Sequence, residues 1–195
     1  MIATISGIIN NKSTDSVVVQ VNGIGFLLSI SFTTFKTLPE IGEQIFLYSY
    51  LHVRENALTL YGFATEGEKE LFQDLLSVSG IGPKLALTML SGISVADLYN
   101  KIAQADEAAL VRVPGLGKKT AQRLVMDLRE KALKHSQQSE ATQIKHAHQD
   151  TEQAIAALVS LGYSRSESQS AVDKAVAESS ANCSLQELIQ RALQF

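Results

Sequence analysis

Residues 75–86 read Leu-Leu-Ser-Val-Ser-Gly-Ile-Gly-Pro-Lys-Leu-Ala, and residues 110–121 repeat the pattern as Leu-Val-Arg-Val-Pro-Gly-Leu-Gly-Lys-Lys-Thr-Ala. The copies lie 35 positions apart, and six of their twelve positions are identical. In each copy a helical pattern runs into Gly-apolar-Gly, and a second helical pattern follows. The identical pairs are Leu75/Leu110, Val78/Val113, Gly80/Gly115, Gly82/Gly117, Lys84/Lys119 and Ala86/Ala121.

This duplicated pattern is typical of a tandem helix-hairpin-helix, which binds nucleic-acid backbones. Glycine permits a turn with positive φ and the close approach of another backbone. The helix that follows begins with unpaired amides, which favour a phosphate. The predicted DNA-binding residues are the turn glycines and the residues that follow them: Gly80, Gly82, Lys84, Gly115, Gly117, Lys118, Lys119, Thr120 and Arg123.

Charge is unevenly distributed along the chain. The whole sequence of 195 residues has a net charge of −3, with 17 Lys and Arg against 20 Asp and Glu. Residues 77–135, which hold both glycine turns, nevertheless carry nine basic and five acidic residues. A local positive surplus is what phosphate binding requires. One cysteine allows no internal disulfide, and no stretch reaches the ~18 apolar residues of a membrane span, so we expect a cytoplasmic protein.

Enzymatic sites are not indicated by the sequence. A nucleotide-binding P-loop would need glycine where Arg112 stands and Ser or Thr where Lys119 stands. Glu66, Glu68 and Glu70 fit the exposed first turns of a helix and lack the partner motifs of a two-metal nuclease. We therefore expect no catalytic residue, no metal site and no cofactor.

Hydrophobic patterning divides the chain into four segments and predicts an α+β multidomain protein. Residues 1–64 contain five short strand patterns, with Asn-Gly at 22–23 as a hairpin signal, which favours a small OB-type barrel over a small sandwich. Residues 65–134 are helical, and residues 135–149 have the polar composition of a flexible linker. The hydrophobic pattern of residues 150–195 predicts a three-helix bundle whose first helix ends at Gly162.

The order of these motifs closely resembles the RuvA family, the Holliday-junction-binding subunits of the bacterial branch-migration complex. The resemblance covers essentially the whole chain, and its most specific parts are the two glycine turns. It also rests on Tyr-Gly-Phe at 61–63, Leu-Ser-Gly at 90–92 and Ala-Leu-Val-Ser-Leu-Gly-Tyr at 157–163.

Such a resemblance implies a set of partners and roles. The chain would form a homotetramer through its barrels, with one or two tetramers holding a four-way DNA junction open and flat. A barrel loop would form an acidic pin at the crossover, where the family usually has two adjacent acids and this chain has Glu55 and Asn56. The C-terminal bundle would recruit a RuvB-like hexameric ATPase, and a RuvC-like resolvase would be a further partner. The chain itself would hydrolyse nothing.

Two other function classes remain open on the residues alone. A helix-hairpin-helix glycosylase or nuclease would have a catalytic pocket, and a general scaffold would use a C-terminal bundle like that of ubiquitin-associated domains. The Leu-Gly-Tyr corner at 161–163 resembles the first corner of that fold. Leu158, Leu161 and Tyr163 are candidate partner-binding residues, with packing inside the bundle as the alternative.

Overall fold

The computed structural model describes residues 2–178 and 185–193, with the backbone alone for residues 137–150, 176–178 and 185–188. The chain divides into two compact units, residues 1–136 and 137–195. Among the described residues, no helix is both long and apolar enough to cross a membrane.

A five-stranded closed barrel forms the N-terminal part of the first unit. Its strands pair in the order β1-β2-β3-β5-β4, and β4 closes the barrel against β1. Only β3 and β5 pair in parallel. Closure confirms the barrel over the sandwich. The strands are β1 (Thr4–Lys12), β2 (Ser16–Val21), β3 (Ile24–Ile30), β4 (Gln44–Arg54) and β5 (Ala57–Phe63).

The Asn-Gly hairpin between β2 and β3 has the expected turn chemistry. Asn22 has φ +48° and Gly23 has φ +87°. Two consecutive positive φ values define the turn whose twist matches that of paired strands. The sequence missed one element of the barrel, the helix α1 (Phe32–Thr37). Its aromatic and β-branched residues are poor helix formers, and the Ser31 side chain caps it by accepting from the Thr34 N–H at 3.0 Å.

Helices complete the first unit. Ser94 and Asp106 are the N-caps of the helices that follow them, and Pro83 lies in the first turn of its helix. The helical core is continuous with barrel residues, since Tyr61 and Phe63 pack against Phe72 with ring centroids 5.0 Å apart. The helices are α2 (Glu66–Ser77), α3 (Pro83–Gly92), α4 (Val95–Ala103), α5 (Glu107–Leu110) and α6 (Lys118–Ser160).

Helix α6 includes the segment 135–149, whose polar composition predicts a flexible linker. The backbone is helical from Lys118 to Ser160 without interruption. The segment contains neither Gly nor Pro, and four of its fifteen residues are Gln and two are Ala, which are good helix formers. A polar composition therefore did not exclude a helix. The role of this segment as a connection between domains stays a prediction.

The second unit is a small helical bundle. The end of α6 packs with α7 (Arg165–Glu178) and α8 (Leu185–Ala192). Gly162 ends α6 with φ +102°, as predicted. The Gly162 N–H donates to Val159 O at 3.1 Å and the Tyr163 N–H donates to Leu158 O at 3.3 Å, which is the Schellman pattern of a helix C-terminus.

Candidate nucleic-acid interface

The first glycine turn joins α2 to α3. Gly80 has φ +97°, a conformation that favours glycine. The Ile81 N–H donates to Val78 O at 3.1 Å, and Ile81 is buried beneath the turn. The turn is therefore anchored by an apolar side chain, while the glycines on either side of it are exposed.

The second turn, between α5 and α6, repeats this geometry at positions 35 residues later. Gly115 has φ +89°, and the Leu116 N–H donates to Val113 O at 3.0 Å. Leu116 is buried as Ile81 is. The two hairpins are therefore structural copies despite sharing only half of their aligned residues.

The hairpins pack against each other reciprocally. A Cβ added at Gly80 would lie 3.5 Å from Thr120 Cγ2, and one added at Gly115 would lie 3.4 Å from Leu85 Cδ1. Thr120 is the 35-residue equivalent of Leu85, as Gly115 is of Gly80. Each turn thus contacts the other hairpin at the same position, and the two are related by an approximate two-fold axis. The structure gives Thr120, half-buried, a packing contact in addition to its predicted DNA role.

Gly82 and Gly117 differ from the other two turn glycines. A Cβ at either position would meet nothing within 4 Å, and neither has a positive φ. Gly82 precedes α3 without a side-chain cap, so the first amides of that helix have no acceptor within the helix. These glycines are not required by packing inside the protein. Their open surroundings leave room for an external backbone.

Exposed cations surround the two turns. Lys84, Lys118, Lys119 and Arg123 are all exposed, and none of them belongs to the ion pairs found within residues 2–178 and 185–193. The structure thus places the predicted DNA-binding residues at the two glycine turns and in the first turns of the helices that follow them. Amide groups and cations in this arrangement suit phosphate oxygens.

The predicted pin lies at the tip of the β4–β5 hairpin. Arg54 pairs with Ala57, so Glu55 and Asn56 form a two-residue turn, and both are exposed. The residue that precedes this turn is a cation, Arg54. Arg54 Nε donates to His52 Nε2 at 2.9 Å, which holds the guanidinium beside the tip. Arg54 and Glu55 are therefore adjacent residues of opposite charge at this hairpin.

Glu68 is buried, contrary to the expectation of an exposed first turn. It is 5% exposed, and its Oε2 accepts from the Thr34 hydroxyl at 2.9 Å and the Ala64 N–H at 3.0 Å. The Thr65-x-x-Glu68 spacing of a capping box was the available signal, since the Glu68 N–H donates to Thr65 Oγ1 at 3.2 Å.

A second set of contacts joins α1 to the end of α3. The Thr33 hydroxyl donates to Leu90 O at 2.8 Å, and the Phe32 N–H donates to Ser91 Oγ at 2.9 Å. Together with the Glu68 contacts, these form the barrel–helix seam, which we define as Phe32, Thr33, Thr34, Ala64, Glu68, Leu90 and Ser91. Within the first unit, the seam fixes where the barrel sits against the hairpins.

A further polar cluster joins three helices of the first unit. The Tyr99 hydroxyl donates to Asp74 Oδ2 at 2.8 Å, and Lys131 Nζ lies 2.6 Å from Asp74 Oδ1. Burial raises the pKa of Tyr99, and the hydrogen bond to Asp74 and its negative charge add to the effect. The His135 ring stacks on Tyr99 with centroids 4.1 Å apart. The cluster holds α6 against α2 and α4.

The partner-binding candidates separate into a core residue and two exposed residues. Leu158 is 2% exposed and belongs to the bundle core, so for this residue the packing alternative is the better description. Leu161 and Tyr163 are 63% and 49% exposed. Tyr163 and Leu158 line an open groove of about 430 Å³, together with Ala171, Ala192 and Leu193 among others.

Three family models match most of the chain. The model described as the RuvA N terminal domain matches residues 1–62, and the RuvA C-terminal domain matches residues 149–195. A SAM-like helix-hairpin-helix tandem matches residues 72–130. The last of these spans both glycine turns.

Full-length relatives agree with the domain matches. A protein of Geotalea daltonii is 42% identical over 99% of this chain and 98% of its own length. Proteins of Solibacter usitatus and Nitrosospira multiformis are each 41% identical over 100% of this chain and 99% and 98% of their own lengths. All three are described as Holliday junction branch migration complex subunit RuvA.

Proposed function

The chain belongs to the RuvA family, and on that basis we propose that it binds four-way DNA junctions as a subunit of a branch-migration complex. The observation that carries the proposal is the pair of reciprocally packed glycine turns. Each turn presents a glycine with open surroundings at the start of a helix, beside at least one exposed lysine. Two such sites related by an approximate two-fold axis suit the two phosphate backbones of one duplex arm.

Binding of this kind selects DNA structure rather than sequence. Main-chain amides and lysines contact phosphates, which carry no direct base information. We propose no catalytic step for the chain, and ATP hydrolysis would belong to a separate motor subunit. Junctions of unrelated sequence should therefore bind alike.

Self-association would place the pin at the junction centre. Several large apolar side chains on the barrel are exposed, which is typical of surfaces that pack against another protein. A homotetramer through the barrels would bring four copies of Glu55 together and repel phosphates at the crossover. The exposed side chains are Ile8, Ile24, Leu27, Phe46, Val53 and Leu58.

The C-terminal bundle would bind the motor subunit, a hexameric ATPase of the RuvB type. Leu161 and Tyr163 supply exposed apolar and aromatic surface, and Tyr163 also lines the groove. Aromatic anchors beside a groove are typical of binding hot spots. The bundle lacks the duplicated glycine turns, so we assign no DNA contact to it.

Binding assays with synthetic DNA test the main proposal. The chain should bind a four-way junction more tightly than a linear duplex of equal length. Neither the junction nor the duplex should be cleaved, and neither should lose a base. Gly117→Val should impair junction binding more than Lys119→Ala, because a side chain blocks approach to the amides whereas loss of a lysine removes one charge. Circular dichroism checks that both variants are folded. Equal affinity for junction and duplex would refute the proposal.

Stimulation of the motor ATPase tests the role of the bundle. Leu161→Ser combined with Tyr163→Ala in the full chain should abolish stimulation and leave junction binding unchanged. Gln153→Ala, an exposed change on α6 in the same unit, is the control and should keep stimulation. Full stimulation by the double variant would show that the motor binds elsewhere.

A further inference from the structure

The two hairpins have the same backbone but very different charge. Residues 77–88 and 112–123 align without gaps at the 35-residue spacing, and neither segment contains an acidic residue. Their turns make equivalent hydrogen bonds, since the Ala86 N–H donates to Gly82 O at 3.0 Å and the Ala121 N–H donates to Gly117 O at 2.9 Å. Differences between the hairpins therefore come from side chains.

Basic residues are concentrated in the second hairpin. The first has a single cation, Lys84, whose equivalent is Lys119. The second has three more, all exposed. In the first hairpin the equivalents of these three are uncharged: Ser77 for Arg112, Pro83 for Lys118 and Thr88 for Arg123. The charge is thus +1 against +4 on two copies of one scaffold.

We propose that the two hairpins divide the work of holding a DNA arm, an inference that rests on the proposed function. The second hairpin supplies most of the salt-dependent attraction through four cations. The first acts mainly through its main-chain amides, so its contribution depends on close fit and little on salt. One strand of each arm is therefore held by charge and the other by geometry.

This division has a measurable consequence in the salt dependence of binding. Each phosphate that a cation neutralises contributes about 0.9 to the slope of log affinity against log salt concentration on duplex DNA. Losing the second hairpin should remove up to about four such contributions, and losing the first should remove about one. As the salt concentration rises, the first hairpin should therefore supply a larger share of the DNA affinity.

Matched substitutions at equivalent glycines provide the test. Gly82→Val and Gly117→Val add the same side chain at positions where a Cβ meets no protein atom within 4 Å. Junction affinity of the full chain is measured at four or more salt concentrations, with circular dichroism and thermal unfolding as folding checks. Both variants should bind more weakly. The slope of log affinity against log salt concentration should become less steep in both variants. Gly117→Val should reduce its steepness by about three phosphate contributions more than Gly82→Val does.

A charge-only variant separates cations from amides. Arg112→Ser with Arg123→Thr gives the second hairpin the residues of the first at those positions, and it should make the salt slope less steep by about two phosphate contributions. Ser77→Arg with Thr88→Arg on the first hairpin should make the salt slope steeper. Equal slope changes in the two glycine variants, or an unchanged slope in the arginine variant, would overturn the division of work. A wild-type chain that shows no junction preference at any salt concentration would instead refute the proposed function.

Discussion

The barrel–helix seam and the contact between the two hairpins hold the first unit together by different chemistry. At the seam, Glu68 is 5% exposed and accepts two hydrogen bonds, and Thr34 is fully buried. Between the hairpins, Gly80 faces Thr120 and Gly115 faces Leu85, and a Cβ added at either glycine would lie 3.4–3.6 Å from that side chain. One region depends on satisfied polar groups and the other on a positive-φ backbone conformation that favours glycine.

The difference indicates which changes each region tolerates. A buried polar group is costly when its partner is lost, because water cannot replace the missing hydrogen bond. A glycine contact is costly when a Cβ is added, because positive φ strains every other residue type. The seam should therefore be sensitive to loss of atoms, and the hairpin contact to gain of atoms.

Loss of the seam carboxylate should have the largest effect. Glu68→Ala leaves the Thr34 hydroxyl and the Ala64 N–H without their acceptor, and we expect a loss of ~2–4 kcal/mol in the free energy of unfolding. Urea denaturation of the full chain measures this. Glu66→Ala is the control: Glu66 is exposed, lies two residues before Glu68 in α2, and its loss should change stability little. Similar stabilities for both variants would show that the seam does not depend on its buried carboxylate.

Adding a methyl group at a positive-φ glycine should have the next largest effect. Gly115→Ala should lower the free energy of unfolding by ~1–2 kcal/mol, because φ is +89° there. Gly117→Ala, two residues away with open surroundings, should change it by no more than ~0.5 kcal/mol and still weaken junction binding. Thermal unfolding combined with junction titration measures both. A stable Gly115→Ala variant would contradict the separation into folding and binding glycines.

A partly accessible polar contact should matter less than the buried seam. Tyr99→Phe removes one donor to Asp74 while Lys131 remains, and we expect a loss of ~1 kcal/mol at neutral pH. Tyr163→Phe, the same change on an exposed ring, is the control and should leave stability unchanged.

The same tyrosine predicts a loss of stability at high pH. Its pKa is raised in the folded state, so its contribution is fully present below the ordinary value of ~10 and falls as pH rises above that value. Wild type should therefore lose stability above pH ~10 more steeply than Tyr99→Phe. Parallel curves for the two proteins would show that Tyr99 does not cause the decline.

The smallest effect is expected at an exposed ion pair on α6. Lys134 Nζ lies 2.8 Å from Glu130 Oε1, and both side chains are largely exposed. The pair lowers the pKa of Glu130 and raises that of Lys134, mainly through their hydrogen bond. Exposed pairs of this kind contribute little to folding. Lys134→Ala should leave the unfolding midpoint within experimental error, and a clear shift would show that the pair is not a surface contact alone.

Local pattern in the sequence determined most of the secondary structure. Helix α4, Val95–Ala103, begins after a serine cap, and its cap and apolar spacing are both local signals. The Asn-Gly turn and the Gly162 helix end are local in the same sense. The duplicated glycine turns alone predicted two equivalent hairpins, since φ preferences belong to single residues.

Other features depend on contacts between residues far apart in the chain. Helix α1 forms from poor helix formers because Ser91 and Leu90, more than 55 positions away, accept its hydrogen bonds. Glu68 was misassigned to the surface because its burial depends on Thr34, which lies 34 positions earlier.

The reciprocal packing of Gly80 on Thr120 and Gly115 on Leu85 was likewise invisible in the sequence. The sequence by itself determined which residues turn, cap and repeat, because these properties act within a few positions. Only the tertiary structure decided which turn glycines lie beside the other hairpin and which remain open, because that depends on what the folded chain brings beside each one.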